Sequence, residues 1–367
     1  MRVTLMTLSV ACLFLAGSVT QAAHKWGLKD GNPDLASAGQ LAFGPDGVLF
    51  VGDARGAAVF AIDTRDHQAP AAVAPRNIEN LSAALEKLPG VKAPVAINDL
   101  AVNPLSGQIY LSLSVGDNKS PALARIDNTG AISLLDLTGV PFLKATLPHP
   151  PEDKITGEGP RARNRRDETV TDIAYASGKV LVAGVIAGDA PSRIREIAFP
   201  FAENATGTPI EIYHGAHGRL EDNATVRTFV TMTIDGEPSV LAGFTCTPLV
   251  RFPLASLSKG DKTRGTTVAE LGNRNVPLDM IVYKKADENY LLMSNNNRGV
   301  MKISTRDIGR KEGITQPVPG EKLTEGQSFE TIADLAGTVQ LDRLGDNLAV
   351  VIRQQDGVLR LQTVPLP

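Results

Sequence analysis

Residues 97–128 read INDLAVNPLSGQIYLSLSVGDNKSPALARIDN, a unit of three short apolar strands separated by two polar turns. The unit starts with polar residues, and its third strand ends in charged ones. Short strands joined by Pro-, Gly- and Asp-containing turns are typical of antiparallel hairpins. The segment therefore predicts an antiparallel three-stranded meander.

The same unit occurs six times in the chain, at 39–64, 97–128, 170–199, 227–254, 277–305 and 337–364. A fourth strand is predicted after several copies, at 131–137, 208–214, 266–272 and 328–335. Six repeats of four antiparallel strands predict an all-β fold, a six-bladed β-propeller. The copies start about 60 residues apart, compared with roughly 40–45 in a compact blade. Insertions are therefore expected, with a helix within 77–88 and a long loop over 141–168.

The sixth copy ends after its third strand, close to Pro367. Another part of the chain must then supply its fourth strand, because an unpaired strand edge is a liability. Residues 24–35 are the candidate, which predicts a ring closed by the N- and C-terminal segments. Residues 24–367 are accordingly expected to form one propeller domain.

Residues 1–23 combine an early Arg2, an apolar run and small residues before position 24. This order is typical of a secretory signal peptide, so a periplasmic or secreted location is expected. Cys12 would leave with the signal, and Cys246 would remain without an intramolecular disulfide partner. No later run of 18 apolar residues follows, so no membrane association is expected after cleavage.

The composition excludes several function classes. The chain has 37 Lys and Arg, 40 Asp and Glu, and a formal charge of -3, so nothing indicates a nucleic-acid partner. There is no Gly-x-Ser-x-Gly elbow, no phosphate-binding Gly-Lys-Ser/Thr loop and no Cys-x-x-Cys-His haem attachment.

The first candidate site is rich in oxygen ligands. The first strands of four copies open at Gly39, Asn98, Thr171 and Asp279, and Asp99 and Asp172 follow directly after two of these. Converging Asn and Asp oxygens suit calcium, so Asn98, Asp99, Asp172 and Asp279 are predicted calcium ligands at a central channel. The alternative is that they only form hydrogen bonds between blades.

FGPDGVLFVGD (43–53) and NDLAVNP (98–104) resemble blade starts of the calcium-dependent phosphotriesterase superfamily, which includes gluconolactonase, regucalcin and paraoxonase-like proteins. They are also similar to NHL-repeat propellers. The resemblance implies lactone or ester hydrolysis, with calcium held by a Glu, an Asn and an Asp. Asn98 and Asp279 match two of these ligands, whereas Gly39 stands where the Glu is expected.

The second candidate site contains softer ligands. His214 and His217 lie in the loop before the fourth copy, and Cys246 lies between its second and third strands. Two imidazoles and a thiolate suit zinc or copper, and either histidine could act as a catalytic proton shuttle. The alternative is that the histidines stabilise a glycine-rich turn and that Cys246 is a small buried apolar residue.

Arginine and asparagine residues in the predicted channel-side loops form a third candidate set. Guanidinium groups bind carboxylates and phosphates in a bidentate manner, which favours a small anionic ligand. The predicted substrate-binding residues are Arg163, Arg274, Asn295 and Arg298. The alternative is a set of solvated, conformationally required loop residues.

Three functions remain open at this point. The first is an exported metal-dependent enzyme that acts on a small molecule at the channel mouth, as a lactonase-like hydrolase or an oxidoreductase. The second is a propeller that binds a ligand or a protein without catalysis. The third is a periplasmic accessory or metal-carrier protein.

Overall fold

The computed structural model describes residues 24–70, 74–159, 162–201, 207–310 and 312–367. The predicted signal peptide, residues 1–23, lies outside the described residues. The described chain forms six antiparallel sheets arranged as blades, together with a two-stranded ribbon, Ile155–Thr156 with Arg163–Asn164. The prediction of an all-β six-bladed propeller is confirmed.

Blades 1 to 3 are numbered in chain order, and their strands are given from the channel outward. Blade 1 consists of Leu41–Phe43, Val48–Asp53, Ala58–Asp63, Val140–Thr146 and Lys29–Gly31. Blade 2 consists of Val95–Val102, Ile109–Val115, Ser120–Ile126 and Ile132–Leu134. Blade 3 consists of Asp172–Ala176, Lys179–Val185, Ser192–Ala198, Thr208–His214 and Arg219–Glu221, and Thr263–Arg264 pairs in parallel with its fourth strand.

Blades 4 to 6 follow the same plan. Blade 4 consists of Val226–Ile234, Glu237–Phe244, Pro248–Pro253, Thr266–Leu271 and Thr324–Gly326. Blade 5 consists of Pro277–Lys285, Glu288–Asn295, Met301–Ser304 and Phe329–Thr331. Blade 6 consists of Thr338–Leu344, Leu348–Gln355, Val358–Pro365 and Asn77–Ile78.

Helices are few and short in the described residues. The α-helices are Leu81–Glu86 and Leu254–Leu257, and the 3-10 turns are Lys25–Gly27, Pro45–Gly47, Arg165–Glu168 and Ala333–Leu335. Asn80 caps the first helix, because its side-chain oxygen accepts a hydrogen bond from the Ala83 N–H. None of these helices has the length and apolar character needed to cross a bilayer.

The order of the blades around the ring differs from their order in the chain. The innermost strand of blade 1 contacts those of blades 2 and 3, and that of blade 2 contacts those of blades 1 and 6. Around the ring, the order is therefore 2, 1, 3, 4, 5, 6. Six apolar clusters support this order, because each fills the interface of one neighbouring pair in it. Burial of these clusters is the main stabilising term of the fold.

Ring closure differs from the prediction. The fourth strand of blade 6 is Asn77–Ile78, from the connection between blades 1 and 2, and not residues 24–35. Arg76 strengthens the pairing, since its N–H donates to Thr363 Oγ1 at 2.9 Å and its carbonyl accepts from the Thr363 N–H at 3.0 Å. The N-terminal strand Lys29–Gly31 instead extends blade 1. The predicted closure by both terminal segments is therefore wrong, because an internal segment already pairs with this edge.

Two predicted insertions also differ in detail. The segment predicted as a helix over 77–88 contains the closing strand first and the helix Leu81–Glu86 second. The segment predicted as a loop over 141–168 begins with most of Val140–Thr146, the fourth strand of blade 1. The chain thus leaves blade 1, builds blade 2 and then returns to complete blade 1.

Candidate metal centre and central channel

The six innermost strands surround a central cavity of about 510 Å³. Asp346 contributes to its wall from the first turn of blade 6, and four more carboxylates contribute from the innermost strands of blades 2, 3, 5 and 6: Asp99, Asp172, Asp279 and Asp342. Three of them were predicted site residues, whereas Asp342 was not singled out. Its position within a strand of alternating character, TVQLDRL, gave no signal that distinguishes it from an exposed residue.

Each of these four strand carboxylates accepts a backbone hydrogen bond from the next blade in the ring. The donors are the N–H groups of Leu41, Phe229, Leu341 and Val102, for Asp99, Asp172, Asp279 and Asp342 respectively, at 2.6–2.7 Å. All four bonds run in the same direction around the channel. The aspartates therefore join neighbouring blades, which is the alternative role considered from the sequence.

The channel environment makes these carboxylates less acidic. Burial raises the pKa of Asp172 to about 7 and that of Asp342 to about 6. Burial also raises the pKa of Asp99 and of Asp279, and the negative charges of the neighbouring aspartates add to the effect. Backbone hydrogen bonds oppose the shifts without cancelling them.

Asn98 and Asp279 do not occupy equivalent positions. Asn98 lies at a β-bulge, and its amide donates to the Ala38 carbonyl at 2.7 Å and to Ser114 Oγ at 3.0 Å. Asp279 instead corresponds to Asp99, since both follow a bulge and both bond to the next blade. Among the described residues, the channel carboxylates do not bring three ligand oxygens within 4.8 Å of one another. The calcium site stays a prediction that this geometry does not favour.

His214 and His217 form a compact group with Glu221. His214 ends the fourth strand of blade 3, and Glu221 lies on the short strand that pairs back onto it. Nδ1 of His214 lies 2.9 Å from Glu221 Oε2, and Nδ1 of His217 lies 2.8 Å from Oε1. The ring centroids are 3.8 Å apart. In the part of the chain that the structure describes, this is the group whose metal-ligating atoms converge within 4.8 Å.

One carboxylate therefore orients two imidazoles. Burial alone would raise the pKa of Glu221, but hydrogen bonds from His214, His217 and Arg219 outweigh it and lower the pKa to about 2. Burial lowers the pKa of His214, which favours its neutral form. With Nδ1–H directed at Glu221, Nε2 of His214 carries the lone pair, and this buried nitrogen has no hydrogen-bond partner.

The loop between the two histidines is fixed from both sides. The Gly215 N–H donates to Glu270 Oε1 at 2.5 Å, and its carbonyl accepts from the Val318 N–H at 3.0 Å. Glu270 belongs to the fourth strand of blade 4, and burial raises its pKa to about 7. Val318 belongs to the segment between the third and fourth strands of blade 5. Glu221 and Glu270 were both missed, since neither forms a recognisable spacing with the histidines.

Cys246 does not join this group. It lies half-buried with φ 63° between the second and third strands of blade 4, and its N–H donates to the Asn275 carbonyl. Nor does the histidine group lie at the channel, because His214 is on an outer strand and does not line the central cavity. The order of the loops along the sequence does not predict how far each loop lies from the propeller axis.

The predicted substrate-binding residues occupy two separate regions. Arg163 is exposed in the two-stranded ribbon. Arg274 and Arg298 lie in two adjoining loops of blade 5, Asn295 ends its second strand, and none of the four lines the central cavity. Asn295 is buried and accepts from the Asn275 amide at 2.8 Å, while Arg298 donates to Asn273. These contacts hold the loops together, and the predicted role in substrate binding stays untested.

Comparison with known proteins finds only distant likenesses among solved structures. No family model matches the chain, and no curated relative matches it. The similar solved structures include the PQQ-bound aldose sugar dehydrogenase from Streptomyces coelicolor, 14% identical over 91% of this chain and 95% of that chain, with a TM-score of 0.37. They also include the C-terminal WD40 domain of Sif2, 10% identical over 93% and 97%, with a TM-score of 0.37. Likenesses this distant carry no argument about activity.

Proposed function

We propose that this chain is an exported, metal-binding β-propeller that holds one zinc or copper ion at His214, His217 and Glu221. The observation that carries the proposal is the pair of imidazoles oriented by one carboxylate, with a buried ring nitrogen that lacks a partner. An unpartnered buried polar atom costs free energy, and a metal–nitrogen bond removes that cost. Orientation of metal-binding histidines by a carboxylate is a common arrangement.

The donor set favours a transition metal over calcium. Imidazole nitrogens bind zinc and copper well, while calcium takes six to eight oxygen ligands. Glu221 is ionised because of its low pKa, so it balances the charge of a divalent ion either as a direct ligand or through the two imidazoles. The thiolate of Cys246 is not required in this proposal.

The position of the group supports a carrier or accessory role over a channel enzyme. His214 is 3% exposed and His217 is 43% exposed, so one ligand is fixed in the fold while the other is accessible from solvent. Such an arrangement allows an ion to enter and leave by movement of one side chain. Hydrolysis at the channel mouth, as the family resemblance implies, would require a metal site at the axis.

The test is metal analysis of the purified, exported protein. Zinc and copper(II) binding should be measured by calorimetry, and bound metal should be measured by mass spectrometry after dialysis. We expect one ion per chain, and His217→Ala and Glu221→Gln should each weaken binding by about 10–100-fold. His149→Asn is the matched control, because His149 is exposed with φ 54°, a conformation that Asn tolerates.

Three results would contradict the proposal. Unchanged affinity in both His217→Ala and Glu221→Gln would place the ion elsewhere. Absence of zinc and copper binding in the folded wild-type protein would remove the metal altogether. Loss of binding in Cys246→Ser would show that the thiolate participates after all, against the ligand set proposed here.

A further inference from the structure

A second cavity, of about 300 Å³, lies on the opposite face of the propeller from the histidine group. The N-terminal turn, the first turn of blade 1 and the first turn of blade 2 border it, through Trp26, Asp46 and Leu105. The two blade turns follow first strands, whereas His214 ends a fourth strand. Because the first and fourth strands of a blade run in opposite directions, their C-terminal ends lie on opposite faces of the propeller. The cavity volume is at the lower end for small-molecule sites, about 300–1,000 Å³.

The backbone around this cavity is strained at two linked residues. Trp26, the one tryptophan of the chain, has φ 64°, and Asp46 has φ 54°. A positive φ is unusual for a bulky residue such as tryptophan and strains the backbone there. The Trp26 indole N–H donates to Asp46 Oδ2 at 2.9 Å and so joins the two strained positions. This hydrogen bond fixes the indole ring at the wall of the cavity.

Two contacts between polar side chains form the polar side of the cavity. Lys25 Nζ lies 2.7 Å from Asp46 Oδ2, and His67 Nε2 lies 3.0 Å from Asp63 Oδ1. The second ring nitrogen of His67 lies 2.9 Å from the Asp46 carbonyl oxygen. Within the described residues, no hydrogen bond reaches the other carboxylate oxygens, Asp46 Oδ1 and Asp63 Oδ2. An anionic ligand would meet the Asp46 and Asp63 carboxylates, and a cationic one would compete with Lys25 for Asp46, so the cavity suits a neutral ligand.

The remaining wall is apolar. It consists of Trp26, Leu28, Val48 and Leu105, and Leu105 is 41% exposed although it is a large apolar residue. The cavity therefore offers an apolar surface beside both a hydrogen-bond donor, the Lys25 ammonium, and free carboxylate acceptors. A hydroxyl group both donates and accepts, so several hydroxyls on a ring with an apolar face complement this surface.

We propose that this cavity binds a neutral sugar ring. Its C–H face contacts Trp26 and Leu105, and its hydroxyls donate to the free oxygens of Asp46 and Asp63. Lys25 donates to a ring hydroxyl from the rim. This site is independent of the metal centre, because it lies on the other face and uses none of the same residues.

Trp26 supplies a direct measurement, since it is the one tryptophan of the chain. Fluorescence of the full-length protein should be titrated with D-glucose, D-galactose and N-acetyl-D-glucosamine, with D-glucuronate and phenol as comparison ligands. Saturation-transfer NMR on the same samples detects binding that leaves the indole unaffected. We expect saturable binding of at least one neutral sugar and weaker binding of D-glucuronate and phenol.

Two variants locate the site. Asp63→Asn removes the carboxylate charge, and Leu105→Asp places a charge on the apolar wall; each should weaken sugar binding by about tenfold or more. Leu220→Ala is the matched control, since Leu220 is 43% exposed and lies on the metal face. Absence of sugar binding by both methods, tighter binding of phenol than of any sugar, or unchanged affinity in both variants would each overturn the proposal.

Discussion

Asp172 of blade 3 accepts a hydrogen bond from the backbone N–H of Phe229 in blade 4, at 2.6 Å, across the interface that faces the channel. Its other oxygen accepts from the Ile173 N–H at 2.8 Å. The carboxylate thus joins two blades, although burial raises its pKa to about 7. A structural contact and an unfavourable charge therefore coincide in one residue.

This coincidence predicts a pH-dependent stability. The folded-state pKa of Asp172 lies above the unfolded value. The stability that Asp172 contributes to the fold is therefore fully present below about pH 4 and is lost as the pH rises through about 7. The unfolding free energy of the wild type should therefore fall between about pH 5.5 and about pH 8. In Asp172→Asn this fall should be smaller by about 2 kcal/mol. Urea denaturation at both pH values measures this difference. Asp136→Asn, at an exposed position with a lowered pKa, is the control, and equal pH dependence in wild type and Asp172→Asn would contradict the prediction.

Asp66 is a second buried carboxylate with a structural role. It lies between blades 1 and 2 at 5% exposure, and it accepts hydrogen bonds from four side chains: Asn103, Ser106, Gln108 and Tyr110. Asp66→Ala would leave these donors without their acceptor, so we expect a loss of about 3 kcal/mol in unfolding free energy. Chemical denaturation measures it, with Asp136→Ala as an exposed control. A loss no larger than that of the control would show that water replaces the carboxylate.

The repeat unit carried most of the information about the fold. Its strand and turn pattern predicted six blades and the fourth strands near 208–214 and 266–272, because hairpin chemistry is local in sequence. Ring order and closure depend on contacts between distant segments. Asn77–Ile78 is too short to be recognised as a strand, and the sequence from Asn80 onward has the character of a helix start.

The candidate sites were predictable only in part. The His-x-x-His spacing predicted a site at His214 and His217, and the rings of these two residues are in contact. Their carboxylate partner, Glu221, comes from a hairpin that folds back after the loop, and Glu270 comes from the next blade. Cys246 lies in the expected loop but in a different environment. Side chains that come into contact only when the chain folds have no fixed spacing in the sequence.

Ring closure gives the third prediction. Ile78 pairs with Leu361 and packs in the apolar cluster between blades 2 and 6, so Ile78→Pro removes a backbone donor and the packing at the closing strand. We expect a loss of about 3 kcal/mol in unfolding free energy, measured by urea denaturation. Ile155→Pro is the comparison, because Ile155 also lies in a two-residue strand but is 74% exposed. Equal losses in the two variants would show that Asn77–Ile78 does not close the ring.

The last prediction concerns the loop that carries the proposed metal ligands. A Cβ atom at residue 215 would lie 2.8 Å from Val318 Cγ2, closer than real contacts allow, and 3.1 Å from Glu270 Oε1, tighter than most real contacts. Gly215→Ala should therefore displace the loop and move His214 and His217 relative to Glu221.

We expect about tenfold weaker zinc or copper binding in Gly215→Ala, with the circular dichroism spectrum of the folded protein retained, because the loop lies at the outer edge of blade 3. Leu220→Ala, in the same hairpin and 43% exposed, should bind metal as the wild type does. If Gly215→Ala binds metal normally while His217→Ala does not, the loop tolerates the extra methyl group. Positioning by Glu270 and Val318 would then have no part in metal affinity, and the two histidines alone would determine it.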